Sequence, residues 1–307
     1  YPPGSTIKPF VALAGLEEGV ITSSKAKYCG GAFQFPNHSH RFRDWRRGGH
    51  GRVDLEKAIV ESCDVYFYDL AHHLGIDRMH DFLTEFHFGR GTGIDLAGER
   101  GGLLPSRDWK RRVRNQAWFP GETLIVGIGQ GAFLATPLQL AAATAALANG
   151  GRYIEPRVAM AIDDGLGPPL PISAPARDLG LDPGHLEDMI QAMIQVVESP
   201  RGTARRIRTS AYRIAGKTGT AQVFTVGQKE TYNEKQVAER KRDHALFVAF
   251  APADKPRIAL AVLVENGGHG GAVAAPIARA VMDSYLLGKR PSADPGTNGE
   301  AGEEDGD

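Results

Sequence analysis

Hydrophobic positions along this chain change period several times, and each change marks a different kind of element. Near the start, Phe10, Val11, Leu13, Ala14 and Leu16 recur at helical spacing and predict a helix with one face in a core. Apolar runs at Leu55–Val60 and Val65–Ala71, either side of a short interruption, predict a helix, a break and a second helix. From Arg213 to Phe224 the pattern reads as an extended strand. Two continuous apolar runs follow, Ala245–Phe250 and Ile258–Val264, expected as buried strands joined by a turn through Pro252 and Pro256. A last helix is expected from about Pro276 to Leu287. Three strands and a helix after a mostly helical stretch predict an α+β fold: an antiparallel sheet flanked by helices, with a largely helical lobe inserted earlier in the chain. Residues 163–182, rich in Pro and Gly, are expected to form a long surface loop. Residues 291–307 are acidic, glycine-rich and without large apolar side chains, so a disordered tail is expected after a domain over 1–290.

Composition narrows the classes. With 307 residues, 42% of them hydrophobic, the chain can bury a large core. A net charge of zero argues against general nucleic-acid binding. Basic clusters do occur: Arg41, Arg43, Arg46 and Arg47; Lys110, Arg111, Arg112 and Arg114; Arg205, Arg206 and Arg208. A solvated face is the default reading of each, and contact with an anionic polymer, lipid or partner is the alternative. No stretch approaches about eighteen unbroken apolar residues, and no signal-peptide pattern is present.

Three short motifs carry the chemistry. Ser5 and Lys8 stand three apart after Pro2-Pro3-Gly4, which cannot lie inside a helix. Ser5 is therefore expected in a first helical turn, where unpaired N–H groups and the helix dipole favour a developing oxyanion. Its hydroxyl and the amine of Lys8 should point to one side, and a desolvated lysine can act as the base a serine nucleophile needs. Ser62-Cys63-Asp64 falls in the break between two predicted helices, and Lys217-Thr218-Gly219-Thr220 lies on the predicted strand. Each motif alone is weak, but the ordered set S-x-x-K, S-D-N, K-T-G is that of serine acyl-transfer sites, and this chain follows it with Asp64 in the place of the Asn. A His-dependent serine hydrolase is disfavoured, because no G-x-S-x-G elbow is present. His38, His40, His72, His73, His80 and His87 sit in polar surroundings and read as surface residues, His244 as a structural one.

These motifs, together with Thr92-Gly93-Ile94-Asp95-Leu96, Val126–Gly131, Ala135–Leu140 and Gly216–Gln222, resemble the transpeptidase domain of class B penicillin-binding proteins over nearly the whole chain. Arg43-Asp44-Trp45 with Gly49-His50-Gly51, and Ala238–His244, are similar to its cell-elongation branch. The resemblance implies a β-lactamase/transpeptidase-like fold and an acyl-enzyme on Ser5. Lys8 would take the Ser5 proton, Ser62 would pass protons in contact with Lys217, and Asp64 would meet the substrate amide. Thr218, Gly219 and Thr220 would bind the substrate, its terminal carboxylate beside Lys217, and the N–H groups of Ser5 and Thr220 would form the oxyanion hole. Asp64 departs from the Asn usual in the family, although members of the elongation branch carry Asp there. The implied partners are D-Ala-D-Ala stem peptides of peptidoglycan, β-lactams and a membrane glycan polymerase. The implied location is the bacterial inner membrane, with this domain in the periplasm. Family members carry a membrane anchor, a pedestal and the first sheet strands ahead of this region, so an amino-terminally truncated fragment is expected. Two alternatives share the motifs: a carboxypeptidase or β-lactamase, with water as acceptor, and a non-catalytic β-lactam sensor.

The chain holds two cysteines, Cys29 and Cys63. They can form a disulfide or pack as small hydrophobes. With Asp44 and His50 between them they also make a reasonable closed tetrahedral zinc set. The spacing matches no recognised finger and leaves the three readings open. The resemblance favours zinc, because some elongation-branch relatives hold that ion beside the active site with ligands so spaced.

Overall fold

The computed structural model describes residues 1–165, 167–223 and 238–290. The expected tail at 291–307 and Phe224 lie outside the described residues, and the strand expected over 213–224 is shorter, Ala215–Ala221. A 3₁₀ turn, Gly4–Ile7, runs directly into helix α1, Lys8–Glu17. The helix buries every residue from Lys8 to Leu16, not one face, because Ala12 and Gly15 fill the sides that the apolar stripe leaves. Four short strands follow: β1 (Lys27–Cys29), β2 (Ala32–Phe33), β3 (Phe42–Arg43) and β4 (Gly51–Val53). They fold the segment between the two cysteines into two small antiparallel ladders, β1 with β4 and β2 with β3.

The helical lobe continues through α2 (Leu55–Val60), α3 (Asp64–Leu74), α4 (Ile76–Glu85), α5 (Arg107–Arg114), α6 (Pro120–Gly127) and α7 (Pro137–Ala148). The break between α2 and α3 falls where the sequence puts it. Asp54 caps α2 through the Lys57 N–H at 2.9 Å, and Ser62 takes φ +57° to turn the chain into α3. A non-glycine residue in that region costs about 1 kcal/mol or more and persists only where its surroundings hold it. The stretch expected as a loop at 163–182 supplies one strand to each of two small ladders: β5 (Arg152–Ile154), with Tyr153 buried, pairs with β8 (Ala176–Asp178), and the exposed β6 (Ala161–Ile162) with β7 (Leu170–Pro171). Two- and three-residue strands of mixed polarity leave no periodic trace in sequence.

Helix α8 (Pro183–Glu198) then leads to the main sheet, β9 (Ala215–Ala221), β10 (His244–Ala251) and β11 (Ile258–Val264), closed by α9 (Ala274–Leu287). Its order is β11-β10-β9, antiparallel throughout, as the apolar runs predict. Every residue of β10 after His244 is buried, so both faces of the sheet are covered. β9 is an edge strand among the described residues, and the Gly4–Ile7 turn packs against it. That contact brings residues two hundred positions apart to one place.

Candidate active site

The Ser5 turn is held from two sides. Gly4 donates to the Gly129 carbonyl (2.8 Å), and a Cβ built on Gly4 would lie 2.7 Å from the Thr220 carbonyl oxygen. Gly4 also has φ +53°, so glycine is required there on both counts. Gln130 Nε2 donates to that same Thr220 carbonyl at 3.1 Å, fixing the strand against the turn. A 3₁₀ turn eclipses residues i and i+3, so Ser5 and Lys8 still share a side although the local helix is not α.

A cleft of about 2180 Å³ opens here, lined by Ser5, Ser62, Asp64, Thr218, Gly219 and Thr220 among others. All three motifs therefore converge, as predicted. Lys8 and Lys217 stand behind the wall, both 0% exposed. Lys217 Nζ donates to Ser62 Oγ (2.9 Å) and to the Thr218 carbonyl (3.0 Å). Lys8 Nζ reaches the same Ser62 hydroxyl at 3.3 Å, the Ser62 carbonyl at 2.9 Å and Asp64 Oδ1 at 2.7 Å. Burial pushes the Lys217 ammonium pKa well below its ordinary value, and the charge of Lys8 adds to that, with Asp64 opposing.

Two details differ from the sequence expectation. Lys8 spends its donors on Ser62 and Asp64, so its amine faces the middle motif more directly than the Ser5 hydroxyl. Asp64 has both oxygens engaged inside the protein, Oδ1 by Lys8 and Oδ2 by the Trp45 N–H at 3.0 Å. An acid at this position pairs with a lysine ammonium where an amide could not. Asp64 also opens α3, where the helix dipole favours negative charge. Sequence reasoning missed Thr203, whose Oγ1 accepts from Thr218 Oγ1 at 2.8 Å, and Gln130 as a strand clamp. Nothing local to Thr203 signals that role.

Cys29, Asp44, His50 and Cys63 come together directly behind Ser62. All four are buried, and one ligand atom from each lies within 4.8 Å of the others. The cysteines are free, so the disulfide reading does not hold in this structure. Asp44 Oδ2 lies 3.5 Å from Cys29 Sγ and 3.3 Å from Cys63 Sγ, and His50 Nδ1 lies 3.6 Å from Cys29 Sγ and 3.5 Å from Asp44 Oδ1. Two thiols, an imidazole and a carboxylate, all buried and within 4.8 Å of one another, are the donor types of a closed structural zinc site, so the chemistry of the set suits that ion. His50 Nδ1 faces Cys29 and Asp44, while its Nε2 is buried with no hydrogen-bond partner among the described residues. Burial raises the Asp44 pKa, but hydrogen bonds from His50 and from the N–H groups of Arg46 and Val65 outweigh it and hold the carboxyl below the usual range. Burial, then the Asp44 charge, pushes the Cys63 thiol far up. Gly49 permits the fold-back of this segment: its φ is +70° and a Cβ there would lie 2.2 Å from the Cys29 carbonyl oxygen. The histidines read as peripheral stay so: His38, His40, His72 and His73 are exposed, His80 and His87 half-buried. His244 Nδ1 accepts from the Asn266 N–H at 2.9 Å, the structural role expected.

Comparison with known proteins agrees with this geometry. The peptidoglycan D,D-transpeptidase MrdA of Acinetobacter baumannii is 50% identical over 293 residues, covering 94% of this chain and 43% of that protein. This chain thus spans less than half of that relative's length. The crystal structure of PBP2 from Pseudomonas aeruginosa in complex with WCK 5153 is 52% identical, with a TM-score of 0.82, over 95% of this chain and 61% of that one. PBP2 of Helicobacter pylori, solved in complex with MreC, is 37% identical with a TM-score of 0.81, over 94% of this chain and 50% of that one. The model of the penicillin-binding protein transpeptidase domain matches residues 1–283, and the chain belongs to that family.

Proposed function

We propose that this chain is the catalytic domain of a serine-type peptidoglycan D,D-transpeptidase that cross-links stem peptides during cell elongation. The observation that carries the reading is the Ser62 hydroxyl, held between the amines of Lys8 and Lys217 in the cleft that Ser5, Thr218 and Thr220 line. A hydroxyl donates and accepts at once, so Ser62 can move a proton between the two amines. Burial lowers the Lys217 pKa, which favours the neutral, proton-accepting amine relative to an exposed lysine. Ser5 Oγ attacks the carbonyl between two terminal D-alanines, and its proton passes through the lysine–Ser62 network to the departing amine. The C–O bond forms, the C–N bond breaks and D-alanine leaves. The amine of a neighbouring stem peptide then attacks the acyl-enzyme, giving up its proton to the same network and returning Ser5. Thr218 and Thr220 bind the terminal carboxylate beside Lys217, and the N–H groups of Ser5 and Thr220 meet the oxyanion. β-Lactams acylate the same oxygen.

Glu61 and Glu122, the glutamates in the cleft wall among the described residues, are paired with arginines and Lys110 respectively. Each would have to give up a cationic partner to act as the base for a deacylating water. Ser5→Ala is expected to abolish covalent labelling by a fluorescent penicillin while the thermal midpoint holds; labelling that persists in the folded variant contradicts the assignment.

The zinc reading is also ours. Cys29, Asp44, His50 and Cys63 would hold a structural Zn²⁺, whose charge supports two buried thiolates and ties residues 29–50 to the start of α3. Elemental analysis before and after chelation tests it, and metal-free protein with a Cys29–Cys63 disulfide removes it. No helix among the described residues is long and apolar enough to cross a membrane. We assign the domain to the periplasmic face of the bacterial inner membrane, working beside a scaffold like MreC and a membrane glycan polymerase. Co-purification from crosslinked cells reads both partners.

A further inference from the structure

The chain balances 36 basic against 36 acidic residues, yet one wall of the cleft does not balance. Arg46 and Arg201 reach Glu61 from different segments, Arg46 Nη1 at 3.4 Å from Oε2 and Arg201 Nε at 3.3 Å from Oε1. The Glu61 side chain is 6% exposed, while the two arginine side chains are 56% and 67% exposed. Two cations thus share one buried anion and still face solvent. Neither contact is tight, and Glu61 Oε1 has no well-directed hydrogen bond among the described residues. Beside them, Arg205 donates to the Pro200 carbonyl (2.7 Å) and Arg206 to the Ala272 carbonyl (3.2 Å), and no described carboxylate pairs with either. All four arginines line the cleft.

Four guanidiniums thus have Glu61 as their one paired carboxylate among the described residues, in a cleft that Asp64, Glu122 and Asp243 also line. A cleft focuses the field of such a cluster and raises the local concentration of anions. The wall is also built rather than loose. The Trp45 indole N–H donates to the Glu61 carbonyl at 3.1 Å, and Arg205 folds back over the segment that carries Arg201. Planar guanidinium forks match carboxylates in particular.

We propose that Arg46, Arg201, Arg205 and Arg206 form a carboxylate-binding subsite, positioned by Glu61, for an internal carboxylate of a peptide in the cleft. It is separate from the Thr218/Thr220 site for the terminal carboxylate, and it rests on the transpeptidase reading above. Either the donor or the acceptor peptide can bring that carboxylate. The test uses the intact protein, with the competent fraction counted by penicillin titration. Donor peptides ending in D-Ala-D-Ala carry one internal carboxylate or the matched carboxamide, read by D-alanine release. Acceptor amines carry the same pair of groups, read by cross-linked product. The unsubstituted protein is expected to favour the carboxylate about tenfold, through KM with kcat little changed, in the arm that uses the subsite. In Arg46→Gln/Arg201→Gln and in Arg205→Gln/Arg206→Gln that preference is expected to fall toward one. No preference in either arm of the unsubstituted protein, or a preference that survives in both double variants, overturns the proposal. Failure of the unsubstituted protein to titrate with penicillin and to release D-alanine would instead remove the transpeptidase reading.

Discussion

Ser62 Oγ is where the long-range contacts of this site meet, and its neighbours set what the site can tolerate. Lys217 is fully buried with a depressed pKa, so the native state binds fewer protons there than the unfolded chain between the native pKa and the ordinary 10.5. Its contribution to stability therefore rises with pH across that window, and below the window the cost of burying an ammonium is felt in full. Lys217→Met is expected to stabilise the fold by about 1 kcal/mol, roughly 2–4 °C in Tm, while penicillin acylation is lost. Calorimetry beside labelling checks both, and a destabilised variant would show that the amine's hydrogen bonds outweigh its desolvation. Asp64 raises the Lys217 pKa, so Asp64→Asn should move the lower limb of the pH–acylation profile to lower pH. A limb that stays in place, or moves up, counts against that coupling. Ser5 and Lys8 were legible in sequence as a nucleophile and base at a spacing that puts them on one side, whereas the roles of Ser62 and Lys217 came from the resemblance of the ordered motif set. The double engagement of Asp64 and the Thr218–Thr203 bond were not legible, since both join segments that only folding brings together.

At the level of elements, the site depends on how closely a turn can approach a strand. A Cβ on Gly219 would lie 2.7 Å from Thr6 Cγ2 and 3.2 Å from Leu246 Cβ, so Gly219→Ala must push the Ser5 turn off β9. We expect a loss of about 1–3 kcal/mol in stability and a drop of more than tenfold in the acylation rate constant, read by denaturant melts and stopped-flow labelling. A variant that acylates at the original rate would show the register to be looser than these contacts imply. The extent of β11 and the break before α3 followed directly from apolar runs, which buried strands and helices must have. The 3₁₀ form of the Ser5 turn did not, because a single turn has no period to read. The same holds for the ladders β1–β4 and β2–β3. Their register is fixed by glycines at positive φ and by the side-chain cluster they enclose, not by alternation.

For the whole molecule, three layers of contact surround one reacting position: a sheet edge, a buried pair of amines and a cysteine–carboxylate–imidazole knot behind them. If zinc occupies the knot, free zinc at a hundred times its Kd stabilises the fold by about 2.7 kcal/mol, so chelation should lower Tm by several degrees. An unchanged melt after complete metal removal would make the ion incidental to stability. The basic clusters read as solvated faces in sequence prove unequal, since Arg46, Arg47, Arg205 and Arg206 line the cleft while Arg111, Arg112 and Arg114 lie on exposed α5. No one-dimensional pattern separates those cases, because facing a cleft is a property of the fold. The most direct measurement is the intact mass of the protein after incubation with a β-lactam, followed by peptide mapping. One equivalent of the whole drug on the peptide that contains Ser5 is the predicted result; folded protein that stays unmodified, or carries the drug on another residue, would contradict the account.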